Sequence, residues 1–256
     1  MVINVPKLKT HKKVGLTGAL KNLVGINGHK DWLPHHRCGS IREGGDEYPL
    51  PSPLKRMETW LNEGIYRHPD SLVNVARRLG CRAMRRLNRL VSNDHIYEGS
   101  WYGNDTCWRM VLDLNRILVY GSCDGQMTDK VQRKLLTIVD AIIAGEGNGP
   151  MTPDPRNCNM LVAGENPAAV DAVLATVIGF DYRRLPLISS SFSPHRWPIT
   201  DFPSQAIDVR STDPRFCSLR VGEGCESFEF RAPSSWVGHI EMDARTGNGA
   251  KQICVD

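Results

Sequence analysis

The stretch NMLVAGENPAAVDAVLATVIG, residues 159–179, limits the possible folds more than any other part of the chain. Residues 160–163 form a short apolar run of strand length, residues 164–166 a turn, and Pro167 stands where a helix opens. The missing N–H of proline costs nothing there. The helix that follows is apolar on nearly every side and stops at Gly179, so it belongs inside the protein. Just upstream, LLTIVDAIIAGEGNGP (135–150) carries Ile138, Val139, Ile142 and Ile143 and ends in glycines, as a buried strand before a tight loop does. Strand, glycine turn and buried helix make the repeating unit of α/β architecture. The expectation is an α/β fold with a mostly parallel sheet and flanking helices.

The rest of the chain is arranged around that unit. Residues 2–5 read as a short buried strand closed by Pro6, which cannot donate to a ladder. Entry straight into a strand suggests that an N-terminal portion precedes it. Thr17 is placed to cap a helix through Ala19, Leu20, Leu23 and Val24. Residues 26–53 lack periodicity and read as a long loop. Apolar positions at three- and four-residue spacing (Leu54, Met57, Trp60, Leu61, then Leu72, Val75, Ala76, Leu79) predict helices from Pro53 to about Val91, a helical insertion at about 54–95. Its run CRAMRRLNRL fits either a solvated arginine face or a partner- or membrane-surface helix. Asn104 or Asp105 is placed to cap a further helix carrying Trp108, Val111 and Leu112. The alternating pieces SLRVG and SFEFR predict a small, irregular or β-rich C-terminal appendage over 186–256, part of the same domain as the α/β segment 1–185.

Charge distribution narrows the function. The net charge is +4, yet the first thirty residues contain no acid at all. A local surplus of this kind points to a phosphate- or carboxylate-bearing small molecule as partner. Nucleic acid would need a wider basic face and a recognisable motif, and neither is present. No apolar run approaches the roughly 20 residues of a membrane span, and no signal peptide is recognisable, so the expected location is cytoplasmic. Eight cysteines occur without a C-x-x-C pair, which excludes a zinc-ribbon or ferredoxin-type iron–sulfur motif.

Chemically capable side chains concentrate in two glycine-bounded blocks. In the first, Lys7 and Lys9 flank Leu8 on one strand face, and Lys21 with Asn22 follows on the next helix; together they form a candidate anion clamp. His11 beside them is a candidate general acid or base. His29 and His35, with His36 and Asp31 nearby, are candidate ligands for a divalent metal, although their spacing matches no metal motif. In the second block, Glu146 ends the apolar strand, where open α/β sheets place ligands, and six-residue spacing puts it on the same strand face as Asp140. Asp171 lies on an apolar helix and needs a partner there, either a lysine of the first block or a backbone cap. His11, Glu146 and Asp171 are the candidate catalytic set. Trp32, Trp101 and Tyr102 could stack on a sugar or ring, or belong to the core.

At VINVPKLKTH (2–11), TGALKNLVGI (17–26), VDAIIAGEGNGP (139–150) and GENPAAVDAVLATVIGF (164–180) the chain resembles the domain-of-unknown-function 362 family. The resemblance implies an α/β domain whose activity is not established. It also implies that the domain begins before the first block and that 54–95 is an insertion of a subgroup. Some relatives carry iron–sulfur clusters on a separate cysteine-rich module, which is absent from this sequence. The leading expectation is an enzyme that binds an anionic small molecule in a Lys/His/Glu-lined crevice. The alternatives are a non-catalytic accessory protein for an acidic or phosphorylated saccharide, and a metal-binding or redox protein using loop histidines.

Overall fold

A mixed sheet organises the first 33 residues together with those from Trp108 onward, while residues 34–107 form a second compact unit. The computed structural model describes residues 1–29, 32–92 and 96–243. Lys30, Asp31 and Cys254 of the candidate segments lie outside them.

In the sheet-bearing unit, β1 (Val2–Asn4), β2 (Lys7–His11) and β3 (Gly15–Thr17) come first, followed by the short α1 (Ala19–Asn22). β1 and β2 run end to end along one edge of β4 (Leu135–Glu146), both parallel to it, with Val2 opposite Leu135 and Lys9 opposite Gly145. Pro6 interrupts them and still contributes its carbonyl, which accepts from Asp140 N at 2.9 Å. β3 pairs antiparallel outside β2, and β5 (Asp154–Gly164) pairs antiparallel on the other edge of β4. Both parallel pairings involve β4, the central strand of an α/β fold. β5 leads into α5 (Pro167–Val177), with Pro167 in the first turn and Asn166 Oδ1 accepting from Ala168 N and Ala169 N at 3.0 Å each. Every residue of α5 except Ala169 is buried, as its all-round apolar surface requires. It packs with Leu8, Leu16, Val139, Ala141 and Trp236 into one core, where each fully buried large side chain contributes about 1.5–3 kcal/mol.

α1 starts differently from the sequence expectation. Thr17 lies in β3 and Gly18 holds the N-cap position, with no side-chain cap of its own. The free N–H groups are met from α5: Asp171 Oδ1 accepts from Ala19 N at 2.6 Å and Oδ2 from Leu20 N at 3.0 Å. A Cβ on Gly18 would stand 2.1 Å from Asp171 Oδ1, so only glycine allows this approach.

The C-terminal segment corrects another expectation. Among the described residues beyond α5 there is no strand, only the short helix α6 (Pro186–Ser189), 3-10 turns and an isolated bridge between Phe180 and Glu241. The alternating sequence instead serves the end of α5, whose last carbonyls lack intrahelical partners. Phe228 N donates to Val177 O and Phe230 N to Ile178 O, both at 2.9 Å, while Met242 N donates to Gly179 O at 2.9 Å.

The 34–107 unit holds the predicted helices as α2 (Pro53–Arg67) and α3 (Asn74–Val91). Arg85 of α3 pairs with the buried Glu58 of α2, and Lys55 and Arg85 both stand over the ring of Tyr97. The inward residues of α3 are Asn74, Cys81 and Asn88, at seven-residue spacing, while its Val75, Leu79 and Leu90, and Leu72 just before it, are exposed. Asn104 Oδ1 accepts from Thr106 N and Cys107 N and so caps the start of α4 (Cys107–Tyr120).

Gly18→Ala should lower stability by about 1–3 kcal/mol through overpacking, and Asp171→Ala by about 2–4 kcal/mol through two orphaned N–H groups. Urea unfolding followed by circular dichroism measures both. A Gly18→Ala protein as stable as wild type would show that the buried carboxylate yields easily.

Candidate functional site

The carboxyl ends of β2 and β4 bring the two glycine-bounded blocks together. Leu8 and Thr10 turn inward, so Lys7 and Lys9 share the outward face as their alternation predicted. Lys9 pairs with Gly145, Thr10 Oγ1 donates to Gly147 O at 2.7 Å, and Lys12 N donates to Gly149 O at 3.1 Å. A Cβ on Gly149 would stand 2.0 Å from Thr10 O, so the turn reaches β2 only as glycine. His11 is buried, and its Nδ1 accepts from Lys13 N at 3.0 Å. That bond assigns the proton of a neutral imidazole to Nε2, which makes His11 a hydrogen-bond donor there.

Glu146 is also buried at this end. Its Oε1 accepts from Arg231 Nε at 2.9 Å and its Oε2 from Arg231 N at 3.1 Å. Arg231 extends the pairing to Asp154 at 2.7 Å, and Gly147 N donates to Arg231 O at 2.8 Å. Asn148 Oδ1 accepts from Ser234 N and Oγ, while Trp236 Nε1 donates to Lys12 O at 2.6 Å. Residues 231–236 therefore brace both blocks. Sequence reasoning did not find Arg231, because its pairing with Glu146 spans 85 positions and leaves no local pattern.

Other candidates lie apart from this end. Asp140 does not share a strand face with Glu146, because the β4 register shifts on both edges between them. Asp140 is exposed enough to meet Lys7 Nζ at 2.8 Å, and that ammonium together with Ile142 N holds its carboxyl below the usual range. Lys21, Asn22 and Asp171 gather around α1, where Asn22 Nδ2 donates to Asn4 Oδ1 at 2.7 Å and Asn4 Nδ2 to Ala19 O at 2.9 Å. Asn4 precedes His11 by seven strand positions, about 23 Å of extended chain. One small ligand does not reach both. Of the two alternatives open for Asp171, the backbone cap is the one formed. Burial pushes its carboxyl from 3.8 up to about 7, against the lowering effect of the Leu20 and Ala19 N–H groups.

His29 stacks on Trp32 with ring centroids 5.3 Å apart, and the His35 carbonyl accepts from Asn104 Nδ2 at 2.9 Å. Among the described residues, the convergent metal-ligating atoms belong instead to His36, Cys38 and Glu47, within 4.8 Å of one another. Trp101 is core, its Nε1 donating to Asp46 O at 2.9 Å, whereas Trp32 is exposed. The sheet-bearing unit also contains a cavity of about 830 Å³ between β5, α5 and the 202–219 segment, walled by Val173, Val177, Phe216 and Leu219. Of the charges near it, Arg210 pairs with Asp208 and Arg215 with Asp213. Among the described residues, no helix is long and apolar enough to cross a membrane.

A mixed α/β domain with a basic strand end closed by a glycine turn is thus the class of protein that fold and site define. Residues 1–176 match the family model described as Domain of unknown function (DUF362), and the chain belongs to that family. It is 38% identical over 55 residues to a Thylakoid-associated protein of Synechocystis sp., a match covering 22% of this chain and 17% of that protein's length. No solved structure matches it.

The Asp171 shift has a definite sign. A carboxyl near 3.8 when unfolded and about 7 when folded binds more protons in the native state between those values. The stability it contributes in acid is lost as pH rises toward 7, and the loss is complete above that. Thermal unfolding from pH 4 to 8 should show wild type losing ground to Asp171→Asn up to about pH 7, then a constant difference. A constant difference across the whole range would mean that the carboxylate stays ionised.

Proposed function

We propose that this domain binds a small phosphate- or carboxylate-bearing molecule at the carboxyl ends of β2 and β4, and that the site is enzymatic. The register that sets Lys9 beside Gly145 carries this reading, because it brings the basic segment 9–13 against the glycine turn 145–149. Parallel strand ends are where α/β sheets place ligands, and glycines let backbone approach them closely. Lys9 and Lys12 supply point charges for the anion. His11, with its proton on Nε2, acts as a hydrogen-bond donor to the bound anion. Glu146 orients Arg231, so its part is positioning. Lys7 is engaged with Asp140, so its charge is already compensated and the anion falls to Lys9 and Lys12.

Inorganic phosphate or a small dicarboxylate should raise the unfolding temperature of the full chain. Isothermal titration should show about tenfold weaker binding for Lys9→Ala and for Lys12→Ala, the worth of one charge-assisted contact. Lys130→Ala, remote in sequence from both blocks, should bind as wild type. Equal binding by all four proteins would overturn the assignment.

A further inference from the structure

The 34–107 unit contains a second concentration of chemistry, independent of the strand-end site. We infer that His36, Cys38 and Glu47 form a binding site for a zinc-class divalent cation, with Glu63 beside it.

The donor set is the first argument. One imidazole, one thiol and one carboxylate suit Zn2+, a borderline-soft ion that takes nitrogen, sulfur and oxygen together. The three ligand atoms all lie within 4.8 Å of one another. In a tetrahedral zinc site neighbouring ligand atoms stand about 3.5 Å apart, given bonds of about 2.3 Å to sulfur and 2.0–2.1 Å to nitrogen. Closing the set therefore needs inward shifts of about 1 Å, within the reach of side-chain rotation.

The second argument is how the ligands are held. His36 and Cys38 are two residues apart. The segment that carries them is tied to the one carrying Glu47: Asp46 N donates to Arg37 O at 3.1 Å, and Glu47 N donates to Gly39 O at 3.0 Å. The Glu47 carboxylate is buried and oriented by partners outside the set, accepting from Gly39 N at 3.0 Å and from Thr59 Oγ1 at 2.9 Å. Such outer partners fix a metal-ligating carboxylate in direction and cost affinity when removed. Asp46 is fixed as well, accepting from Arg37 N and Thr106 Oγ1. The ligand loop is a braced structure rather than a loose turn.

The third argument is the unusual company of the thiol. Cys38 is exposed, yet its Sγ–H is directed to the Glu63 carboxylate, and Glu47 lies close enough to act on it electrostatically. Two carboxylates around a sulfur are repulsive to a bare thiolate and favourable to a cation. With three protein ligands in the set, a fourth coordination position is left to Glu63 or water, the arrangement of zinc sites that keep an open position.

Cobalt(II) replaces zinc in such sites and reports sulfur ligation by a thiolate-to-metal charge-transfer absorption. Full-length protein, reduced and freed of metal, should bind one Co2+ with that absorption, and Zn2+ should displace it. Cys38→Ser should abolish the band, and His36→Ala and Glu47→Gln should each weaken binding at least about tenfold. Cys123→Ser, which removes an exposed cysteine elsewhere in the chain, should leave the band unchanged. Far-ultraviolet circular dichroism checks the fold of each variant, and Glu47→Gln keeps the shape of the side chain should Cys38→Ser fold poorly. No charge-transfer band in the wild type, or an undiminished band in Cys38→Ser or in Glu47→Gln, would overturn the proposal.

Discussion

The contact between Asp171 and the first turn of α1 ties the two halves of the sheet-bearing unit together. α5 is the helix around which the core assembles, and β1 to β3 supply the other side of that core. One carboxylate of α5 receives two backbone N–H groups of α1, so neither helix can shift without orphaning buried polar groups. Gly18 is the condition for that contact, and the network from Asn4 through Ala19 to Asn22 follows from it. Asp171 thereby turns a costly buried charge into a joint.

Much of this was legible in the sequence where a local rule decides it. Pro167 and the apolar run behind it located α5, Asn104 capped α4 as its side chain allows, and the β-branched run 138–143 lay inside β4. Illegible features depended on pairing over distance. The shifted register of β4 separates Asp140 from Glu146 although strict alternation would unite them. Arg231 reaches Glu146 from a segment whose alternation resembles a strand, and that segment instead satisfies the end of a helix. In the histidine-rich loop, residue type marked the right neighbourhood but not the right members. The direction of each imidazole depends on which backbone groups brace the loop, and His36 rather than His29 or His35 meets the thiol and the acid.

The two concentrations of chemistry belong to different compact units and use different physics. At the strand ends, unreactive ammonium groups and backbone amides surround a glycine turn, a setting for electrostatic recognition of an anion. In the 34–107 unit, polarizable sulfur and imidazole meet acids, a setting for the proposed cation. The two proposals call for ligands of opposite charge, and the residues named for one are not shared with the other.

The end-to-end course of β1 and β2 along β4 also governs how the chain is made. Val2 finds its partner only when Leu135 has been synthesised, and at about 5–20 residues per second the ribosome takes on the order of ten seconds to get there. Throughout that interval Leu8 and Leu16 have no α5 to pack against, whereas residues 34–107 are complete and contiguous. All contacts within residues 34–107 are available before β4 exists, and the sheet is left to form late by non-local parallel pairing, the slow kind. A newborn chain thus passes through a stage in which every residue of the unit bearing His36, Cys38 and Glu47 has been made and the partners of β1 and β2 have not.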